Sequence, residues 1–361
     1  MKSNVRLIAF YLPQFHPIPE NDAWWGKGFT EWTNVGKAKP LFRGHYQPHL
    51  PTELGYYDLR VPETRNNQAE LAKEYGIEGF CYWHYWFGNG KRLLERPFNE
   101  VVSSKEPDFP FCLAWANETW KGFAHGLTNR NILIEQTYPG KQDYMDHFNT
   151  LLSAFKDKRY IRVHDRLLFL IYRPFELPSA REFMDLWQQL AQEHGLGGFY
   201  FVGQTNFVEE REKILNMGFD AVNVVRLNDY IRLESPFLLR AIRWFNRKFR
   251  KIPYVFSYEK VMKFFTGKEA EELSCLPTII PGWDHSPRSG REGLVYTNTT
   301  PELFKEHVEQ VFEYIKNKTI EDRIVFIKSW NEWAEGNYLE PERRYGRGFL
   351  EALKKANEKL G

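Results

Sequence analysis

Short apolar, β-rich runs recur along the chain at Leu7–Leu12, Gly79–Trp83, Phe111–Ala116, Leu167–Tyr172, Phe199–Gly203, Ala221–Val225, Thr278–Pro281 and Ile324–Ile327. Between most of them lie stretches whose apolar residues return every three or four positions, at Glu63–Tyr75, Lys141–Phe155, Ala180–Glu193, Glu209–Met217 and Pro301–Lys316. That spacing predicts helices with one buried stripe. Eight strands alternating with helices predict a parallel α/β architecture, because parallel neighbours need a crossover and a helix supplies it. The number eight favours a closed (β/α)8 TIM barrel over an open doubly wound sheet. An open sheet would also place a glycine-rich phosphate turn after its first strand, where this chain has Leu12-Pro-Gln-Phe-His-Pro17.

One stretch exceeds what a bare barrel needs. Residues 228–276, between the sixth and seventh strands, read as an inserted helical excursion in a single domain spanning 1–361. Within it Phe237, Leu238, Ala241, Ile242, Phe245 and Phe249 recur at helical spacing, while Arg240, Arg243, Arg247, Lys248, Arg250 and Lys251 gather positive charge. Most amphipathic helices lay their stripe on the protein and expose the charges, and that is the expectation here. Contact of 237–251 with an anionic membrane surface is the alternative.

Composition removes several function classes. A net charge of +2 over 361 residues makes no case for nucleic-acid binding. Aromatic residues make up 17% of the chain, with 12 Trp and 19 Tyr, and stacking on carbohydrate is one use for them beside core filling. Cys81, Cys112 and Cys275 are odd in number and scattered, so they read as reduced core thiols. No apolar run is long enough to span a bilayer, and the opening MKSNVRLIAFYLP lacks the apolar stretch of a signal peptide, which predicts a cytoplasmic protein. Phosphate-loop, zinc-helix, CxxC and GxSxG patterns are missing. His16, His84, Glu118 and Asp284 lack the local spacing of metal ligands, so neither a metal nor a cofactor is expected.

Candidate chemistry collects where a barrel keeps its site, at the C-terminal strand ends. The first run ends in Tyr11, Gln14 and His16. The second ends in the cluster Tyr82-Trp-His-Tyr-Trp-Phe87, which contributes His84, Tyr85 and Trp86. Trp115, Asn117 and Glu118 follow the third, Tyr172 and Arg173 the fourth, Gln204 and Asn206 the fifth, Arg226 and Asn228 the sixth, and Trp283 and Asp284 the seventh. Such a rim of hydrogen-bonding groups and flat rings suits a polyhydroxylated ligand. Singly each is weak: His84 is as readily a core histidine, and Arg173 as readily half of a structural ion pair. The loop Ala23–Trp32, with Trp25 and Trp32, reads as a wall or lid of a sugar cleft, or equally as a loop pinned to the rim by its tryptophans.

The last strand leads into Lys328-Ser-Trp-Asn-Glu-Trp-Ala-Glu-Gly-Asn-Tyr-Leu-Glu340. Glu332 and Glu335, bracketed by Trp330, Asn331 and Trp333, are the paired carboxyls that glycosidic-bond chemistry requires, one for the bridging oxygen and one for the second proton or the sugar carbon. A strand would point an i, i+3 pair to opposite faces, so the two converge only if the chain turns after Glu332, with Gly336 allowing the turn. A solvated surface turn is the bland alternative, and it explains the flanking tryptophans poorly.

These residues also carry a resemblance. FYLPQFHPIPENDAWWGKGFTEWTNV, QPHLPTELGYYDLR, CYWHYWF, WANETW, PGWDHSPR and SWNEWAEGNYLEP, spread from Phe10 to Pro341, together look like the WbsX-like family of bacterial polysaccharide biosynthesis proteins, often labelled glycosyltransferases. That family is similar to the family 99 endo-α-mannosidases, which are (β/α)8 barrels with a catalytic block resembling NEWHEGT. Asn331-Glu-Trp-Ala-Glu-Gly336 matches it except that Ala334 stands for the histidine and Asn337 for the threonine. The resemblance implies that Glu332 acts as base on the substrate's own 2-hydroxyl, giving a 1,2-anhydro sugar, and that Glu335 protonates the leaving oxygen. It implies a retaining endo-acting glycoside hydrolase or transglycosidase on an α-mannose-like bacterial polysaccharide or lipid-linked glycan. A glycosyltransferase of O-antigen or capsule biosynthesis and a catalytically silent carbohydrate-binding protein are the alternatives. Asn117-Glu118 at a strand end offers a conventional nucleophile as a further option, with Glu118 otherwise binding sugar hydroxyls.

Overall fold

The computed structural model describes residues 4–122, 131–233, 237–245, 248–249 and 252–360. Eight parallel strands close on themselves: β1 (Arg6–Tyr11), β2 (Gly79–Trp86), β3 (Phe111–Trp115), β4 (Arg166–Ile171), β5 (Phe199–Thr205), β6 (Ala221–Val224), β7 (Cys275–Ile279) and β8 (Ile324–Ile327). Each pairs with its sequence neighbours, and β8 returns to β1 through Arg6↔Ile324 to Ala9↔Ile327. Strands covered on both faces need no polar side, which is why Leu7–Phe10 and Ile324–Ile327 are wholly buried apolar runs. The barrel is thus the one expected. β7 starts earlier than the sequence suggested and carries Pro277 within it, and β2 continues to Trp86 because all eight of its residues are buried.

Helices α1 (Pro62–Glu74), α2 (Arg96–Ser104), α3 (Lys141–Phe155), α4 (Ala180–Glu193) and α5 (Arg211–Asn216) cross over between the first six strands. In the excursion, α6 (Phe237–Phe245) follows a short helix at Asp229–Leu233; α7 (Pro301–Ile315) links β7 to β8, and α8 (Gly348–Lys359) ends the chain against α7. Among the described residues no helix is long and apolar enough to cross a membrane.

Side-chain parity along the strands decides what reaches the site. Phe10 stacks on Trp83 at 4.8 Å and on Phe326 at 5.1 Å inside the barrel, so alternate residues beyond them, Leu12, Tyr85 and Lys328, point into its upper mouth. Tyr11, Tyr82, His84, Trp86 and Trp115 have the opposite parity and face the helices. A second apolar cluster, including Val225, Phe256, Tyr258, Phe265 and Tyr296, anchors the later half of the excursion. There Tyr254–Ser257 pairs in parallel with Leu294–Thr297.

Candidate active site

The mouth of the barrel holds a solvent-connected cleft of about 550 Å³ lined by Leu12, Gln14, Trp83, Tyr85, Glu118, Trp120, Tyr172, Arg288, Lys328, Glu332 and Glu335. Its two carboxylates converge because the chain after β8 makes a tight hairpin: Asn331–Glu332 pairs antiparallel with Asn337–Tyr338 around a 3-10 turn at Trp333–Glu335. Gly336 closes the turn at φ +58°, and a Cβ there would lie 2.7 Å from Asp284 Cβ and 2.8 Å from its backbone nitrogen. Only glycine meets both the left-handed backbone and the close approach. Ser329 Oγ accepts from the Glu332 amide at 3.0 Å and donates to the Asn337 carbonyl at 2.8 Å. Asn331 fastens the hairpin to the end of β1 by accepting from the Leu12 amide at 2.8 Å and donating to its carbonyl at 3.1 Å.

Charges across the floor separate the two glutamates. Lys328 Nζ stands between them, 3.7 Å from Glu332 Oε1 and 3.6 Å from Glu335 Oε2. Glu335 Oε1 also accepts from Arg288 Nη1 at 2.5 Å, and Arg288 Nε donates to Glu31 Oε2 at 3.1 Å. Glu332 accepts from the Trp83 indole at 3.0 Å and, among the described residues, forms no hydrogen bond with an arginine. Burial, reinforced by the neighbouring Glu335, pushes the Glu332 carboxyl up to about 7 against the pull of Lys328. Burial acts on Glu335 in the same direction, but Lys328 and Arg288 outweigh it and hold that group below the ordinary carboxylate range. Lys328 in turn stays charged although burial opposes it, because both glutamates raise its affinity for the proton. The two carboxyls thus titrate apart, Glu332 holding a proton to higher pH than Glu335. His285, 3.8 Å from Glu335 Oε1, is pushed down to about 4 by burial and by Arg288, so it is neutral.

Across the cleft Glu118 pairs with Arg173 Nη2 at 3.2 Å, and burial raises its carboxyl. Two hollows flank the cleft. One, of about 740 Å³, is walled by Trp283, Asp284, His49, Tyr46 and Tyr338, and the Trp283 ring lies 5.5 Å from Lys328 Nζ. The other, of about 520 Å³, shares Tyr172 with the cleft and includes Arg173, Gln204 and Phe207.

Of the residues singled out from the sequence, Gln14, Tyr85, Glu118, Glu332 and Glu335 meet in the cleft, while Arg173, Gln204, Trp283 and Asp284 line the flanking hollows. Asp284 there is held ionised by His45 and Gln47, both 2.7 Å away. Other members lie behind the wall. Tyr11 donates to Gln68 of α1 at 2.6 Å, Tyr82 packs on Phe98, and His84 pairs with His147 of α3 at 2.8 Å. The Trp86 indole donates to Asp143, that of Trp115 to the Trp86 carbonyl, and Trp330 packs on Phe80. Asn117 grips the Arg173 backbone through its amide at 2.8 and 2.9 Å, and Asn331 clamps the hairpin. Trp333 stacks on Tyr338 at 3.8 Å and donates to Glu340, and His16 is buried away from the cleft. Trp25 stacks on Phe29, while Trp32 donates to the Tyr57 carbonyl and packs on Trp333, which is the geometry of a pinned loop. Sequence reasoning named Tyr172 at the rim but missed Lys328 and Trp83 as cleft groups, since the pattern does not say which parity faces the lumen. Arg288, in the short helix Ser286–Ser289, and Glu31, which opens the helix Glu31–Lys37, lie far apart in sequence; both fall inside the resemblance blocks, and neither was singled out. Among the described residues no cluster of His, Cys, Asp and Glu is arranged to hold a metal ion.

A closed parallel barrel with a buried acidic pair at its C-terminal mouth is an architecture of glycan-active enzymes. The chain belongs to the family described as glycosyltransferase WbsX, which matches residues 7–353. It is 38% identical over 353 residues to the uncharacterized protein WxcX of Xanthomonas campestris pv. campestris, covering 97% of this chain and 49% of that protein. The chain thus spans about half the length of the curated relatives it matches. In fold it is similar to the family 99 endo-α-mannosidase of Bacteroides thetaiotaomicron, with a TM-score of 0.62 at 14% identity over 100% of this chain and 98% of that one. A glycoside hydrolase-like protein gives 0.60 at 14% identity over 98% and 94%.

Proposed function

We propose that the protein breaks or transfers a glycosidic bond within a bacterial glycan, an α-mannose-like substrate being the best fit, with Glu332 and Glu335 as its acid–base pair. The observation that carries the reading is the pair of buried carboxyls bridged by Lys328 on the floor of an open cleft, with Arg288 on Glu335 alone. Hollows on either side of that cleft give room for sugar residues beyond the scissile bond and so support an endo-acting mode.

The charges around the pair favour the reverse of the roles that the resemblance carries over. Glu332 holds the proton and gives it to the bridging oxygen as the bond from that oxygen to the anomeric carbon breaks. Glu335, kept ionised by Arg288 and Lys328, takes the proton of the hydroxyl that attacks that carbon. If that hydroxyl is the substrate's own 2-hydroxyl, a 1,2-anhydro sugar forms. An acceptor hydroxyl or water then opens it, losing its proton to Glu332 while Glu335 returns one to O2. Both carboxyls end as they began, and the configuration is retained. Water gives hydrolysis, and a sugar acceptor gives transfer.

Leaving-group dependence tests the roles. An aryl glycoside whose phenol needs no protonation should restore turnover to Glu332→Gln and leave Glu335→Gln inactive; rescue of Glu335→Gln alone would return the acid role to Glu335. Ordinary turnover of a 2-deoxy substrate would exclude attack by the 2-hydroxyl. The family's transferase description keeps a second reading in play, and release of a nucleoside diphosphate from a sugar-nucleotide donor would establish it.

A further inference from the structure

The described members of the excursion's apolar stripe do not pack on the barrel as the sequence suggested; the side chains of Leu238 and Ile242 lie outside the described residues. Phe237 is 86% exposed, Trp244 54%, Phe245 48% and Phe249 59%, and Ala241 between them is exposed as well. Residues 237, 241, 244 and 245 fall on one side of α6, so these side chains form a single surface rather than scattered rings. Phe245 and Phe249 lie 4.7 Å apart, Trp244 and Phe249 6.3 Å, and Lys248 Nζ sits 4.8 Å from the Trp244 ring. The aromatics lie against one another and stay about half exposed or more among the described residues. Contiguous exposed aromatics of this kind mark an interaction surface.

The charge identifies the occupant. From Phe237 to Lys251 the sequence carries Arg240, Arg243, Arg247, Lys248, Arg250 and Lys251 and no acidic residue, in a protein whose net charge is +2. Aromatic rings interleaved with cations and no acids are the composition of a helix that lies in the headgroup region of an anionic bilayer, rings inward and cations at the phosphates. A protein partner or a second copy of this chain would bring mixed charge to such a surface. α6 is also fixed to the molecule: Arg240 Nη2 donates to the carbonyls of Ile231 and Arg232 at 3.1 and 2.9 Å. Arg232 and Arg226 in turn hold Asp229 just past the end of β6. The excursion therefore leaves the barrel at the C-terminal end of its strands, the end that carries the cleft.

We propose that α6, with Lys248 and Phe249, docks the protein on anionic lipid, with the cleft end of the barrel toward the bilayer. The proposal is independent of the chemistry at Glu332 and Glu335. The test is co-sedimentation of the whole chain with vesicles of phosphatidylglycerol and phosphatidylcholine in equal parts, beside vesicles of phosphatidylcholine alone. Binding is expected to the mixed vesicles only, and to weaken several-fold as salt is raised through the range that screens surface charges. Arg247→Glu with Lys248→Glu should lower the partition coefficient by at least about tenfold, as each cation near an anionic surface contributes appreciably. Trp244→Ser with Phe245→Ser should do the same at unchanged melting temperature, because both rings are exposed. Failure of the unmodified protein to bind the mixed vesicles overturns the proposal, and so does binding that neither variant weakens. Self-association that disappears in the Trp244/Phe245 variant, without lipid binding, would assign the face to a second copy and overturn it equally.

Discussion

At the scale of single residues, the separation of Glu332 from Glu335 rests on neighbours rather than on the glutamates themselves. Arg288 at 2.5 Å from one and the Trp83 indole on the other make the difference. Replacing either glutamate by Gln should lower turnover by about 10²–10⁴ with the fold intact, since that is the usual cost of losing an acid or base; near-normal rates in both variants would remove the pair from the mechanism. The pH profile follows from the same charges. Activity that needs Glu332 protonated and Glu335 ionised falls on the alkaline side as pH passes about 7, where Glu332 loses its proton. The acid limb lies below the ordinary carboxylate range, because Glu335 is lowered. Lys328→Met removes the cation shared by both groups, so both carboxyls should titrate higher and both limbs of kcat/KM should move to higher pH; limbs that stay in place would mean Lys328 does not set the pair's protonation.

At the scale of elements, the hairpin after β8 is what turns an i, i+3 pair into a convergent one. The sequence marked this correctly, because a strand alone cannot put Glu332 and Glu335 together and Gly336 is the residue that permits a turn. Gly336→Ala puts a methyl group 2.7 Å from Asp284 Cβ at a φ that L-residues avoid, so it should lower both the melting temperature and turnover. A variant with wild-type melting and turnover would show that the hairpin relaxes without consequence. The aromatic cluster of β2 was read less well. Trp83 and Tyr85 enter the cleft, whereas Tyr82, His84 and Trp86 contact the helix layer. A strand alternates strictly, but one buried on both faces carries aromatics on both, so composition does not say which parity faces the lumen.

At the scale of the whole molecule, eight strands closing through β1 and β8 bring residues from every part of the chain to one rim. The excursion is an addition to that rim. Its later half is bound through the cluster around Tyr258 and Phe265, and α6 exposes its rings. Exchanging Phe237–Phe249 for a short polar linker should therefore move the calorimetric melting temperature by no more than about 2 °C, as changes at exposed positions usually do. A drop of several times that size would show that α6 supports the barrel.

The order of strands and helices, the barrel they close into, and the carboxylate pair at the end of β8 all follow from the sequence by itself, because periodicity and turn chemistry are local properties of a chain. Only the tertiary structure decided which face of each strand looks inward. It alone brought Arg288 to Glu335 across 47 residues and to Glu31 across 257. It also left the stripe of α6 uncovered, where the sequence said only that the stripe needed a cover. The physical reason is common to all three: an amphipathic pattern states that a surface avoids water or that a charge needs a partner, and the identity of the neighbour is fixed only when distant segments fold against each other.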